Sequence, residues 1–442
     1  MVVGGYWLLP RRLRLWWLFG ASILFYATWN VGYVPGFLLL IGANYLLGLA
    51  AAGRYARIAV VSAIVLDLAI LIVFKYLDAI LGGSASVVAW VTGEEIEWGG
   101  IGIVLPLAIS FVTFTLIAYI VDVYRGAAPE RDPLRFAVFI AFFPRVLSGP
   151  ITRGHEFLPQ LSFDRRFSLP LVHMAVPLLV SGLLKKSLAD QLGPVVREGF
   201  SDFGDLSSLA LVAVATAWTF QLYLDFAGYT DMARGASRLL GIGLKRNFDW
   251  PYRSLSMAEF WRRWHMTLGT WLRDYLYFPL GGSRRGDRRT YLNLMITMTL
   301  AGAWHGAGLG FTVWGVLQGL GLSINRWWRR LPGHPVLPVA LSWALTFAFI
   351  VAARVPFVAP DLTTAAEFYT RMFIPHGGEL PSLALVLTLA VLMVGQWTRW
   401  ERMARALAPR RSYRRWLAYG VALAVAVLLL PAGAPDFIYQ QF

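Results

Sequence analysis

Long apolar runs separated by short basic stretches set the pattern of this chain. Eleven such runs lie at about 15–30, 33–52, 58–78, 101–124, 169–189, 207–227, 290–304, 309–325, 336–353, 381–397 and 415–431. Each is on the scale that a hydrocarbon layer of about 30 Å demands of a helix. Two further apolar stretches, 136–151 and 256–281, are broken by Arg, Pro and Gly. Broken backbone at membrane depth must be buried in protein, so both read as re-entrant or interfacial. The opening MVVGGYWLLPRRLRLWW has no small-residue cleavage site and reads as part of a retained first span. The pattern predicts an all-α polytopic membrane protein: about eleven transmembrane helices plus re-entrant or interfacial helices. With no internal repeat and no long linker, 1–442 reads as one integral membrane domain.

The charges give this layout a direction. With the N-terminus inside, 34 of the 40 Lys and Arg fall in cytoplasmic segments. Only Arg197, Arg354 and Arg371 fall outside, where GEEIEW (93–98) and REGFSDFGD (197–205) carry acids instead. That asymmetry is the positive-inside rule. Eleven crossings then place the C-terminus on the extracytoplasmic face, and the expected location is a cytoplasmic (bacterial inner) membrane. The net charge of +15 is read as basic loops against anionic headgroups, not as a nucleic-acid surface. Composition agrees: 15% of residues are charged, against about 25% in soluble domains. There is no cysteine, hence no disulfide, thiolate metal site or cysteine nucleophile.

Few residues remain to carry chemistry. His155, His173, His334 and His376 sit in loops or near span ends and read as interfacial or surface groups. His305 stands in LAGAWHGAGLGF, beside Trp304 and flanked by Gly302, Gly306, Gly308 and Gly310. A neutral imidazole in so tight a corner can take a proton from a hydroxyl; the competing reading is a histidine that merely ends a helix. His265 lies in AEFWRRWHMTLGTWLRDYLYFPLGGSRRG (258–286), too charged to span and too aromatic for a free loop. It fits an interfacial helix whose arginines, Arg273 among them, either meet phosphates or anchor in headgroups. Asp225, near the inner end of a span, is a functional candidate by its depth, or it pairs with a nearby Arg and only holds the bundle together. Arg145, in the Pro- and Gly-broken FFPRVLSGPITR, needs a partner or water. No Walker A, HExxH or GxSxG pattern is present, so no covalent nucleophile suggests itself in the bundle.

Five ordered motifs, SGPITR, FQLYLDFAGYTDMARG, KRNFDWPYRS, FWRRWHMTLGTWLRDYLYFPLGG and AGAWHGAG, resemble the membrane-bound O-acyltransferases. Within them the chain resembles the bacterial branch that O-acetylates alginate and other exopolysaccharides. The resemblance implies helices ringed around a thin central partition, with a cytoplasmic donor cavity and an outer funnel. It matches His305 to the family's catalytic histidine and His265 to a second important one. Asp225, Tyr229 and Asn247 fall in its other motifs, with Trp304, Arg145 and Arg273 as further candidates for the donor path. The implied donor is acetyl-CoA or another acyl thioester, without a metal. The implied partners are membrane lipid, a polysaccharide acceptor and an extracytoplasmic serine-dependent (SGNH-like) acetyltransferase.

The resemblance extends to the last residues, FIYQQF. Phe437, Tyr439 and Phe442 match an aromatic tail of the form F-x-Y-x-x-F, here part of an extracytoplasmic segment 432–442. The expectation is that Tyr439 meets His305 and relays the acyl group; the alternative is a tail that packs in an aromatic belt. Competing functions are D-alanyl or peptidoglycan acyl transfer, a transporter and a structural scaffold. A transporter should show repeat symmetry and paired broken helices, and neither is visible in the sequence.

Overall fold

The structure, a computed structural model, describes residues 1–92, 98–162, 166–333, 335–399 and 413–430. Among these residues it is helical throughout, and a single isolated bridge pairs Leu206 with Glu379. The chain forms two compact units, Met1–Ala175 with Ala236–Lys245, and Val176–Gly235 with Arg246–Phe442. His334 and the tail bearing Phe437, Tyr439 and Phe442 lie outside the described residues.

The first unit is built on α1 (Val2–Leu8), α2 (Arg11–Ala27), α3 (Val34–Ala50), α4 (Ala56–Thr92), α5 (Ile109–Tyr124), α6 (Pro133–Ala141), α7 (Phe143–Val146) and α8 (Gly154–Phe157). Helix α6 begins sharply because Asp132 accepts from the amides of Leu134 and Arg135, with Pro133 at the first helical position. Its buried face joins Tyr119, Phe136, Phe139, Phe142 and Phe157 in one aromatic core. The stretch 136–151 is broken as expected, α6 giving way to α7 at Phe142. The run 101–124 is helical only from Ile109, because Gly100, Gly102 and Ala108 all take positive φ and Pro106 interrupts the segment.

The second unit holds most of α9 (Leu169–Ser201) and α10 (Ser208–Leu239), then α11 (Met257–Arg263), α12 (Met266–Leu272), α13 (Gly286–His305), α14 (Leu309–Trp328), α15 (Val339–Ala353), α16 (Val355–Val358), α17 (Leu362–Phe373), α18 (Leu383–Thr398) and α19 (Tyr413–Leu428). Helices therefore occupy all eleven apolar runs. Among the described residues, five helical stretches, Val31–Ala50, Ala56–Ser84, Leu169–Ser201, Ser208–Leu239 and Val339–Val358, are long and apolar enough to cross a membrane by length and composition. Helix α10 continues a dozen residues past the predicted limit at 227 because its charges are matched internally. Asp231 meets Lys185 of α9 at 2.6 Å and Arg234 at 3.0 Å.

Helices α13 and α14 form a hairpin at very close range. A Cβ at Gly302 would collide with the Phe311 carbonyl oxygen and lie 2.8 Å from Gly315 Cα. Small residues are what permits two helix backbones to approach so closely. Gly302→Ala is therefore expected to lower stability by about 1–3 kcal/mol, read as a lower thermal midpoint in detergent. Gly42→Ala, where nothing lies within 4 Å, should leave the midpoint unchanged or slightly raised.

Candidate active site

His265 is held by a reversal of the chain. The backbone of Asn247 to Asp249 runs alongside Arg263 to Met266, with Asp249 N donating to Arg263 O and Met266 N to Asn247 O, both at 2.9 Å. Helix α11 is capped by Ser256, whose Oγ accepts from Glu259 N, and Glu259 reaches back to Leu255 N. His265 then turns with φ +41°, a left-handed conformation rare for a residue with a side chain, and starts α12. Its ring is fully buried, edge-on to Phe226 at 4.7 Å.

Asn247 fixes the protonation of that ring. Its Oδ1 accepts from the backbone amide of Thr267 at 3.1 Å, which can only donate. The amide orientation is thus set, and His265 Nδ1, 3.2 Å from the same oxygen, must carry the proton. The neutral ring keeps its lone pair on Nε2. Burial pushes the imidazole down to about 3, so it is neutral at physiological pH.

His305 ends α13 and is 4% exposed. Three aromatic rings surround it edge to face: Trp304 at 4.9 Å, Trp314 of α14 at 5.2 Å and Phe357 of α16 at 5.3 Å. Trp314 in turn touches Trp261 of α11 at 6.1 Å, and Trp261 Nε1 donates to Gln318 Oε1. The helix that delivers His265 and the hairpin that delivers His305 thus share one aromatic frame.

The other candidates divide. Asp225 is fully buried and pairs with Lys186 of α9 at 2.9 Å, and Lys186 also bonds Asp190 at 2.6 Å. The bundle-holding reading of Asp225 therefore has a concrete partner, a lysine where an arginine was expected. Tyr229 stands one turn further along α10, half-buried. Arg145 belongs to the first unit, where its guanidinium donates to the carbonyls of Phe139 and Thr152 and lies over Phe139 and Phe157. Arg273 has a side chain 55% exposed and pairs with its neighbour Asp274 at 2.7 Å. Tyr439 falls outside the described residues.

One group was misplaced by the charge pattern. Arg354, counted among outer-loop charges, is 2% exposed. It packs on Trp264 with 4.1 Å from Cζ to the ring, and its Nη1 donates to the Thr219 carbonyl and the Tyr252 hydroxyl. The available signal was its position, directly after an apolar run and two residues before Pro356, where a free loop charge has no reason to be.

An all-helical multi-pass membrane protein with two buried histidines on one aromatic frame narrows the class sharply. The model of the membrane-bound O-acyltransferase family matches residues 131–353, and this chain belongs to that family. It is an O-acyltransferase. It is 38% identical to the probable alginate O-acetylase AlgI of Azotobacter vinelandii, over 84% of this chain and 75% of the relative. It is 35% identical to the peptidoglycan O-acetyltransferase of Helicobacter pylori, over 83% and 75%. It is 33% identical to the teichoic acid D-alanyltransferase of Streptococcus thermophilus, over 51% and 57%.

Two outcomes follow from the His265 geometry. Asn247→Ala removes the acceptor that selects the tautomer and should lower acyl transfer by about 10²-fold or more, with Asn247→Asp recovering part of the loss in initial-rate assays. Acid should also weaken the fold. Between pH 6.5 and about 3 the unfolded chain binds a proton that folded His265 refuses, so stability falls as pH falls. The loss from pH 7 to 5 is about 2 kcal/mol. Thermal midpoints should drop less over that interval in His265→Gln than in the parent.

Proposed function

We propose that this enzyme moves an acyl group, acetyl in the simplest case, from a cytoplasmic thioester such as acetyl-CoA to an extracytoplasmic polysaccharide. The observation that carries the reading is His305, buried among Trp304, Trp314 and Phe357 at the end of α13, in a chain of this family. The polysaccharide acceptor is taken from the alginate and peptidoglycan acetylases among its relatives. The proposed setting is a bacterial inner membrane, with the N-terminus inside and the C-terminus outside, as the loop charges favour.

In the chemical step His305 accepts the proton of an acceptor hydroxyl. The oxygen forms a bond to the thioester carbonyl carbon, the C–S bond breaks, and the thiolate leaves with a proton. His265, with Nε2 unprotonated, is the second base on the donor-side segment. We take the first acceptor to be Tyr439 of the aromatic tail. A phenol with a pKa of about 10 is a far better leaving group than a sugar alkoxide, so an aryl ester suits onward transfer. A serine-dependent partner of the SGNH type outside the membrane would complete transfer to the sugar.

The test is mass spectrometry of the C-terminal peptide from membranes bearing the parent or His305→Ala. The expected result is an acyl mass on Tyr439 that is absent in the variant, with polymer acylation down by about 10²–10⁴-fold. The added mass separates acetyl from D-alanyl. Polymer acylation that continues while Tyr439 stays unmodified under trapping conditions sinks the relay and leaves direct transfer to a partner's hydroxyl.

A further inference from the structure

Arg354 is a cation buried among apolar groups, and among the described residues no carboxylate pairs with it. A lone buried charge is destabilising unless hydrogen bonds and polarisable faces hold it. Here they do. Nη1 donates to the Thr219 carbonyl at 3.1 Å and to the Tyr252 hydroxyl, while that hydroxyl donates to the same carbonyl at 2.6 Å. This closed triangle anchors the guanidinium to α10. Its plane is further flanked by aromatic rings, with Cζ 4.1 Å from Trp264, 5.3 Å from Tyr252 and 5.9 Å from Phe260. Burial pushes the Tyr252 phenol up to about 12, so that hydroxyl stays neutral and keeps its proton to donate.

The two ends of this arrangement reach different histidines. Trp264 immediately precedes His265, whose left-handed turn needs a restraint beyond its own preferences. The backbone carbonyl of Arg354 accepts from Phe357 N at 3.2 Å, and the Phe357 ring lies against His305. Arg354 thus touches the residue before His265 with its side chain and the segment that walls His305 with its backbone.

We propose that Arg354 is a positioning residue. By stacking on Trp264 and terminating the α15–α16 corner that carries Phe357, it holds the His265 turn and the His305 wall in one fixed relation. This rests on the reading that both histidines act in acyl transfer. Lysine keeps the charge and a multi-donor nitrogen but lacks the flat guanidinium face, so it cannot reproduce the stack and the triangle together.

The experiment measures thiol release from acetyl-CoA by the full chain in nanodiscs, at varied donor concentration. Arg354→Lys is expected to lower kcat by about 10-fold or more, because small misplacements of catalytic groups are expensive. The donor KM should stay within about 2-fold, since no donor contact is lost. Adding Trp264→Phe should produce no further loss, because both changes break the same stack. Unchanged kcat, a loss confined to KM, or losses that multiply would overturn the proposal. If Arg354→Lys does not fold, Trp264→Phe and Phe357→Leu take its place, each breaking one of the two links. Lower kcat at constant KM supports the proposal, and full kcat in both overturns it. His265→Ala and His305→Ala are run alongside. Full activity in those two removes the catalytic reading itself, whereas their inactivity with an active Arg354→Lys removes only the role of Arg354.

Discussion

A charge among apolar side chains must find its counterpart inside the protein, and the second unit is arranged around that constraint. Lys185 and Lys186 are buried and half-buried on α9, and each takes an aspartate from α10. Arg354 has no such aspartate and is held instead by a carbonyl, a phenol and three rings. These solutions differ in kind. An ion pair fixes two helices at one point, whereas a stacked guanidinium fixes the angle of a plane. The helices that need only to stay together use the first device. The turn that must orient an imidazole has the second beside it.

The same economy explains why aromatic residues line the histidines. Edge-to-face rings stabilise without adding donors or acceptors that would themselves need satisfying. His305 therefore sits among three rings, and His265 has Phe226 edge-on to its ring and the Asn247 amide oxygen at Nδ1. The Asn247 oxygen, fixed by the Thr267 amide, suffices to choose the tautomer. The strained backbone at His265 is consistent with a site whose geometry is imposed by its surroundings rather than by local preference.

Much of this was legible in the sequence, and the parts that were not share a cause. Each of the eleven apolar runs carries a helix, since membrane burial leaves little alternative to one, but the amphipathic α17 at Leu362–Phe373 lay outside them. The breaks at Phe142 and around His265 were visible as Pro, Gly and Arg inside apolar stretches. The limits of α5 and α10 were not. Hydropathy ends a helix where charges begin, yet α10 continues because Asp231 and Arg234 are matched on its own surface and on α9. In the opposite direction, Ile101 to Val104 are apolar but follow glycines at positive φ, so they do not begin a helix. Motif order found His265, His305 and Asn247, but only coordinates show that Asn247 and His265 touch.

Arg354 marks the sharpest limit of reading charge as topology. A counting rule treats every arginine as a reporter of aqueous loops, because a solitary buried guanidinium is costly. The rule fails where the fold supplies both a carbonyl that accepts from side chains and flat aromatic faces. Thr219, Tyr252 and Trp264 are 135, 102 and 90 positions away from Arg354 in sequence, so no local pattern announces them. The residue least consistent with the charge pattern is thus the one whose contacts span the most distant parts of the candidate site. A misfit between a sequence rule and a buried charge is physical information: the environment that tolerates the charge had to be built, and here it was built against the turn that carries His265.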